Sequence, residues 1–465
     1  MKLLQQIVAF LEDRLALPTI WARFTDRQIP KGVGWLQTFG SATLFLLIVQ
    51  VVTGIFLAFY YVPSPEHAYE SVRLITDDLN FGWLIRGIHR WSASLVVVFA
   101  VLHLLRTLFM GAYKYPRELT WVVGVLLLLV IFAFAFTGYL LPWDQRAYWA
   151  TTVGTHIAGF APGIGDFLIE ILRGQPDIGA RTLGRFYAFH TLFLPLILFL
   201  LLGIHLFMVI KQGIAPLPDR KLVPATREEY RQYYRQAKQE GKPFYESMAK
   251  DALVALFLLI VLIALSVVLG APLEEEADPT STTYVPKPEW YFLFLYELLW
   301  WFPGKWIPVA TFWIPLALIF VLIGLPWLDS SVHRHPLRRP VVTVAAVTLV
   351  GFLGLLTYKG TVAPLPPTAV AAQRAQAEKI ALSPLALQGL EVYGRGGCSA
   401  CHAINGVGGV AGPDLGKIGR KRSADWLRRF IQDPVSVNPQ SSMPAYKELS
   451  QEELEALVSY LGQIK

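Results

Sequence analysis

Seven apolar stretches constrain this chain more than any other feature of its sequence. They run at about 36–61, 84–109, 119–141, 187–211, 250–270, 308–328 and 340–357, each near the roughly 20 residues a helix needs to cross a bilayer. A backbone in hydrocarbon must satisfy its own hydrogen bonds, so an all-α transmembrane bundle is expected here. Composition agrees: 16% of the 465 residues are charged, against roughly 25% in soluble proteins. The net charge of +7 reflects topology rather than nucleic-acid binding, because Lys and Arg gather in cytoplasmic loops.

The loops alternate in charge. Lys2, Arg14, Arg23, Arg27 and Lys31 precede the first stretch, whereas Glu66, Glu70, Asp77 and Asp78 outweigh Arg73 after it. Lys114 and Arg117 follow the second stretch, and nine Lys or Arg lie in 211–250. Glu274, Glu275, Glu276, Asp278, Glu289 and Glu297 dominate the loop after the fifth; Arg334, Arg338 and Arg339 fill the sixth connection. The connection between the third and fourth is mixed. This pattern predicts a multi-pass protein of a bacterial-type plasma membrane, with a cytoplasmic N-terminus and, after seven crossings, an outer C-terminus. Glu12, Asp13 and Arg14 interrupt the opening "MKLLQQIVAFLEDRLALP", which reads as an amphipathic helix on the membrane surface rather than a leader.

Residues 359–385, rich in Pro and Ala, read as a linker to a small all-α soluble domain at 386–465. There "CSACH" contains the chain's two cysteines, Cys398 and Cys401, so a disulfide framework is excluded. CxxCH is the attachment signature of a c-type haem, with two thioethers and axial His402. A zinc or dithiol reading is opposed by the adjoining histidine and by the lack of other cysteines. Met443, in "NPQSSMPAY", is the expected second axial ligand; Lys447 or an open position are the other options. A thioether ligand would raise the reduction potential. The predicted topology puts the motif outside the cytoplasm, where such haems are attached.

Two of the stretches carry paired histidines. His89 and His103 lie fourteen residues apart, and His190 and His205 fifteen apart, so each pair spans about 21–22 Å of helix on nearly one face. Both helices run in the same direction, which sets His89 level with His190 and His103 level with His205. Two stacked bis-histidine sites for b-type haems result. A lone histidine in a span reads equally as a core or proton-path residue; matched pairs do not. Gly40 with Gly54, and Gly124 with Gly138, repeat the fourteen-residue step and offer room for a flat ligand, or simply close helix contact. Arg86, Arg90 and Arg106 flank the histidines, placed to pair with haem propionates or to snorkel.

Through "IHRWSAS", "KYPRELTWVVGV", "TGYLLPWDQRAYWA", "LGRFYAFHTLFLPL" and "PKPEWYF" the sequence resembles cytochrome b of quinol-oxidising cytochrome bc and bf complexes. The seven helices and the His190–His205 step resemble the plastid type, with its b subunit (1–212) and three-helix subunit IV (213–358) joined in one chain. "SQEELEALVSYLGQIK" is similar to the closing helix of a class I cytochrome c. The resemblance implies a quinol:cytochrome c oxidoreductase subunit that oxidises quinol on the outer side and passes electrons through two b haems, with proton translocation. It implies Glu289 of "PEWY" as proton acceptor, Tyr139 and Tyr291 as pocket neighbours, and a homodimer. Both cysteines belong to the haem c motif, so a separate Rieske iron–sulfur protein is required, and a downstream acceptor takes electrons from the tail. Thr38 stands where the plastid type has a cysteine for an extra haem, and Ile210 precedes Lys211 where that type has a basic pair. A competing reading, a di-haem subunit linking a peripheral dehydrogenase to the quinone pool, needs neither Glu289 nor the c domain. A pure transporter leaves CSACH unexplained.

Overall fold

In the computed structural model each of the seven apolar stretches is a helix: Trp35–Ala58, Gly82–Phe109, Glu118–Tyr139, Ala180–Gln212, Phe244–Leu269, Val309–Leu328 and Pro340–Val362, here spans 1 to 7. The structure describes all residues except 1, 176, 221–223, 280–283, 285–286, 303–305, 363–381, 406, 409–411, 439–440, 442 and 465; most of the expected linker lies outside the described residues. Among those described, the fold is all-α apart from two short antiparallel pairs, Gln28–Ile29 with Lys242–Pro243 and Ala403–Ile404 with Val407–Gly408.

Spans 4 and 5 start before their apolar runs. Polar turns, "ARTLGRF" and "FYESMAK", extend the helices, because helix propensity continues where hydrophobicity stops. Large side chains on the spans remain exposed, among them Leu196, Phe207, Val268 and Val341. Such a surface suits a lipid solvent rather than water. The N-terminal helices Lys2–Leu15 and Leu17–Thr25 likewise expose Leu3, Leu4, Phe10 and Trp21.

The chain divides into two compact units. One comprises residues 1–142, 183–273 and 290–358 and holds most of the spans. In it span 2 packs on spans 1 and 5, and span 3 on spans 4 and 6. Ala42, Leu46, Val96, Val97, Ile131, Leu258 and Leu262 form a buried apolar cluster across spans 1, 2, 3 and 5. A Cβ on Gly87 would lie 2.7 Å from Ser266 Cβ, so glycine permits the close approach of spans 2 and 5. At one end of the bundle the 2–3 and 6–7 connections are joined by buried charges. Asp329 lies 2.9 Å from Lys114 Nζ and 3.0 Å from Arg339 Nη1, and Tyr113 donates its hydroxyl to the same carboxylate.

The other unit comprises 143–182, 274–289 and 359–465. Its C-terminal domain is built on helices Pro384–Arg395 and Gln451–Gln463, which bury Leu390, Tyr393, Leu454, Leu457, Val458 and Leu461 together. Ser383, Ser423 and Ser450 cap three of its helices, Ser450 in a reciprocal box with Glu453.

Candidate functional site

The four span histidines meet in two pairs. The His89 and His190 rings have centroids 6.4 Å apart at an interplanar angle of 70°; His103 and His205 lie 6.4 Å apart at 74°. Imidazoles bonded at about 2 Å to opposite sides of one metal ion place their centroids roughly 6 Å apart, so the spacing fits trans axial ligation. Among the described residues no three or more His, Cys, Asp or Glu are gathered as a metal site. Each pair offers two imidazole nitrogens, a donor set of the kind a haem iron would accept.

Each of the four predicted glycines faces one histidine. A Cβ would come 2.9 Å from His103 Cε1 at Gly40, 3.3 Å from His89 at Gly54, 3.4 Å from His205 at Gly124 and 2.6 Å from His190 at Gly138. The one-residue difference between the two histidine steps also has a local cause. Phe189–Phe193 forms a π-turn within span 4, and such a turn absorbs one extra residue. His205 therefore stays level with His103 even though its step from His190 is fifteen.

Two residues that the sequence reading missed hold two of these histidines in place. Thr53 Oγ1 donates to Val49 O at 2.6 Å and lies 2.9 Å from His89 Nδ1; Thr137 Oγ1 donates to Ala133 O at 2.9 Å and lies 3.2 Å from His190 Nδ1. With its proton committed to a carbonyl, each hydroxyl accepts from Nδ1–H, which leaves Nε2 as the lone-pair atom. A sequence signal existed: Thr-Gly occurs at both 53–54 and 137–138. His103 Nδ1 is buried with no hydrogen-bond partner among the described residues.

The three arginines differ. Arg86 donates to Ala271 O at 2.6 Å and to Thr76 Oγ1 at 3.2 Å, tying span 2 to the end of span 5. The Arg90 guanidinium lies 5.8 Å from the Trp91 ring centroid. Arg106, one turn from His103, reaches Ala215 O at 3.4 Å and keeps a buried Nε without a hydrogen-bond partner among the described residues, a donor that an anionic group would satisfy. Thr38, where the related type has a cysteine, is buried and donates to Trp35 O at 2.7 Å.

Tyr139 ends span 3, and Tyr291 is buried with the cluster of spans 1, 2, 3 and 5. Glu289 lies in the other unit, with Oε1 3.8 Å from Arg146 Nη1. The loops that carry them are pinned: Gln145 N–H donates to Glu275 O at 2.9 Å, and Asp144 accepts from the Ala147 and Glu274 N–H groups. Burial nonetheless pushes the Asp144 carboxyl up.

In the C-terminal domain, His402 Nδ1 donates to Pro413 O at 2.9 Å, again freeing Nε2, and Gly412 backs the ring. Cys398 and Cys401 occupy one helical turn. Burial pushes the Cys398 thiol up to about 12 and raises Cys401 too. Met443 packs, half-buried, against the same core as Cys398.

Comparison with known proteins gives three family matches: cytochrome b/b6/petB over residues 24–213, cytochrome b(C-terminal)/b6/petD over 276–378, and cytochrome c over 386–465. The chain is 45% identical over 221 residues to the menaquinol:cytochrome c reductase cytochrome b subunit of Bacillus subtilis (strain 168), a match covering 46% of this chain and 99% of that protein. It is 35% identical over 359 residues to the cytochrome bc complex cytochrome b subunit of Chlorobaculum thiosulfatiphilum, covering 75% and 79% respectively. A solved hyperthermophilic respiratory Complex III chain superposes with a TM-score of 0.66 at 31% identity, covering 77% of this chain and 92% of that one.

Proposed function

Because the chain belongs to the cytochrome b family of quinol–cytochrome c oxidoreductase complexes and carries a cytochrome c domain, we propose that it oxidises quinol on the outer side of the membrane and moves electrons across it with proton translocation. His89 with His190, and His103 with His205, would hold two b haems, and His402 with Met443 a c haem bound to Cys398 and Cys401. When bound, these groups supply one-electron acceptors on both sides of the membrane. The protein's own residues do the rest. Thr53 and Thr137 fix the tautomers of their histidines, and the glycines leave room for the histidine rings. Glu289 takes a hydroxyl proton from quinol, with Tyr139 and Tyr291 lining the pocket. Two of the relatives are named for menaquinol, which makes menaquinol the first substrate to assay.

Residues 1–212 act as the di-haem module, 213–358 as the subunit IV-like module and 386–465 as a tethered electron acceptor at high effective concentration. A Rieske protein completes the path, a downstream carrier drains the tail, and the complex is a homodimer in a bacterial-type plasma membrane with the N-terminus inside. The observation that carries this reading is the pair of 6.4 Å histidine contacts, each ring backed by a glycine. Quinol added to the purified complex should reduce the covalently bound haem only while the iron–sulfur partner is present. Equal reduction after that partner is removed would contradict the assignment.

A further inference from the structure

A recess opens where span 4 ends. Three parts of the chain line it: Arg27 and Ile29 ahead of span 1, Lys211 and Gly213 at the close of span 4, and Tyr234 and Lys238 of the helix Arg227–Gln239. Its empty space, open mouth included, is about 340 Å³. Each part contributes one cation, and among the described residues no carboxylate lines the recess.

The walls are held by backbone. Gln28–Ile29 pairs with Lys242–Pro243, Lys31 N–H donates to Ala237 O at 2.8 Å, and Phe244 N–H donates to Arg27 O at 2.9 Å. The Tyr234 hydroxyl donates to Ile214 O at 3.2 Å, and Arg117 Nε donates to Gly213 O at 2.9 Å. Gly213 has a φ of +73°, and a Cβ there would collide with the Tyr234 hydroxyl, so glycine lets the end of span 4 close on the helix. Arg27, Lys211 and Lys238 are thus gathered by the fold against their mutual repulsion, which an anion would relieve. The carbonyl ends of span 4 and of the helix Arg227–Gln239 offset only about half a charge each, so the recess stays net positive. Apolar surface continues from it along span 4: Ile210 is 50% exposed and Phe207 61%, and Lys211 Nζ lies 5.9 Å from the Phe207 ring centroid.

We propose that this recess binds the phosphate of an anionic phospholipid, with Arg27, Lys211 and Lys238 around the head group and the acyl chains along Ile210 and Phe207. Basic recesses beside membrane helices take phosphate head groups in this way. An amphiphile satisfies both the charged recess and the apolar strip, whereas inorganic phosphate satisfies the first alone. A lipid seated there ties the segment before span 1, the end of span 4 and the loop helix into one piece. The proposed oxidation of quinol does not use these three cations.

The test is lipid binding by the intact complex, stripped of lipid in detergent and titrated with mixed micelles of phosphatidylglycerol, with b-haem content as the assembly control. Phosphatidylglycerol should bind saturably, and phosphatidylcholine, whose head group has no net charge, should not displace it. Lys238→Gln should weaken phosphatidylglycerol binding about fivefold, and Lys211→Gln with Lys238→Gln about 25-fold, at about 1 kcal/mol per charge. Arg231→Gln removes a charge about 10 Å further along the same helix, where the guanidinium meets the Tyr115 hydroxyl; at 0.15 M salt it should change binding less than about twofold. Unchanged binding in the double variant, an equal loss in Arg231→Gln, or equal competition by phosphatidylcholine overturns the proposal. Displacement of the lipid by millimolar inorganic phosphate would assign the recess to the free anion and overturn it too. If the double variant does not assemble, Lys238→Gln decides alone, and unchanged binding there overturns the proposal equally.

Discussion

Adding one methyl group at residue 138 should remove one b haem and leave the other. A Cβ at Gly138 would stand 2.6 Å from His190 Cε1, 3.1 Å from Nδ1 and 3.2 Å from Nε2. Carbon contacts settle near 3.5–4.0 Å, so the ring must retreat by about 1 Å. An uncommitted imidazole would swing aside at little cost. One bonded to a metal tolerates only about 0.2 Å, and overpacking of this kind costs about 1–3 kcal/mol. At 1.36 kcal/mol per tenfold, haem affinity at the His89/His190 site falls roughly five- to 150-fold. Gly124→Ala is the internal control: its Cβ would meet His205 at 3.4 Å, an ordinary contact. Both substitutions raise helix propensity by about 1 kcal/mol, so helix instability cannot explain a difference between them. The assay is b-haem content per covalently bound haem in detergent-purified complex, with reduced-minus-oxidised spectra to identify the species lost. Full b-haem content in Gly138→Ala, or equal losses in the two variants, would refute the reasoning.

Thr53→Val should remove the hydroxyl that lies 2.9 Å from His89 Nδ1 and weaken retention of the same haem 10–100-fold, read by titrating haem loss in detergent. Cys398→Ser with Cys401→Ser should abolish haem staining of the denatured polypeptide while both b-haem bands persist. Asp329→Asn should cost about 3–5 kcal/mol, because it leaves Lys114 and Arg339 buried against a neutral group; thermal unfolding followed by loss of b-haem absorbance measures it. Burial alone would raise the Asp329 pKa, but hydrogen bonds from Tyr113 and Lys114 and the charge of Lys114 hold it below the usual range. The stabilisation is therefore fully present above the unfolded value of about 4 and is lost as pH falls through the lower folded value. Asp329→Asn should erase that acid-side slope.

The parts of this molecule legible in sequence are the periodic ones. Hydrophobicity located all seven spans because lipid demands uninterrupted apolar helix. The histidines and glycines stood out by one repeat of fourteen or fifteen residues on four helices, and the structure sets each of those glycines against one of the histidines. Helix ends were less legible: spans 4 and 5 continue into polar turns at Ala180 and Phe244, which the bilayer does not select. The fifteen-residue step was visible, but its compensation by the π-turn at Phe189–Phe193 is a backbone event without a residue signature. Arg146 and Glu274 meet across 128 positions of sequence, and no local pattern announces such a pair. Arg86 shows the converse: adjacency to His89 suggested a propionate partner, while the structure gives its guanidinium the carbonyls that end span 5.

The central claim is that spans 2 and 4 clamp two b haems by paired imidazoles. Potentiometric titration of the b-band absorbance in wild type, His190→Ala and His205→Ala tests it most directly. The account predicts two b components per covalent haem in wild type, with a different component missing from each variant. Two intact components in either variant would contradict it.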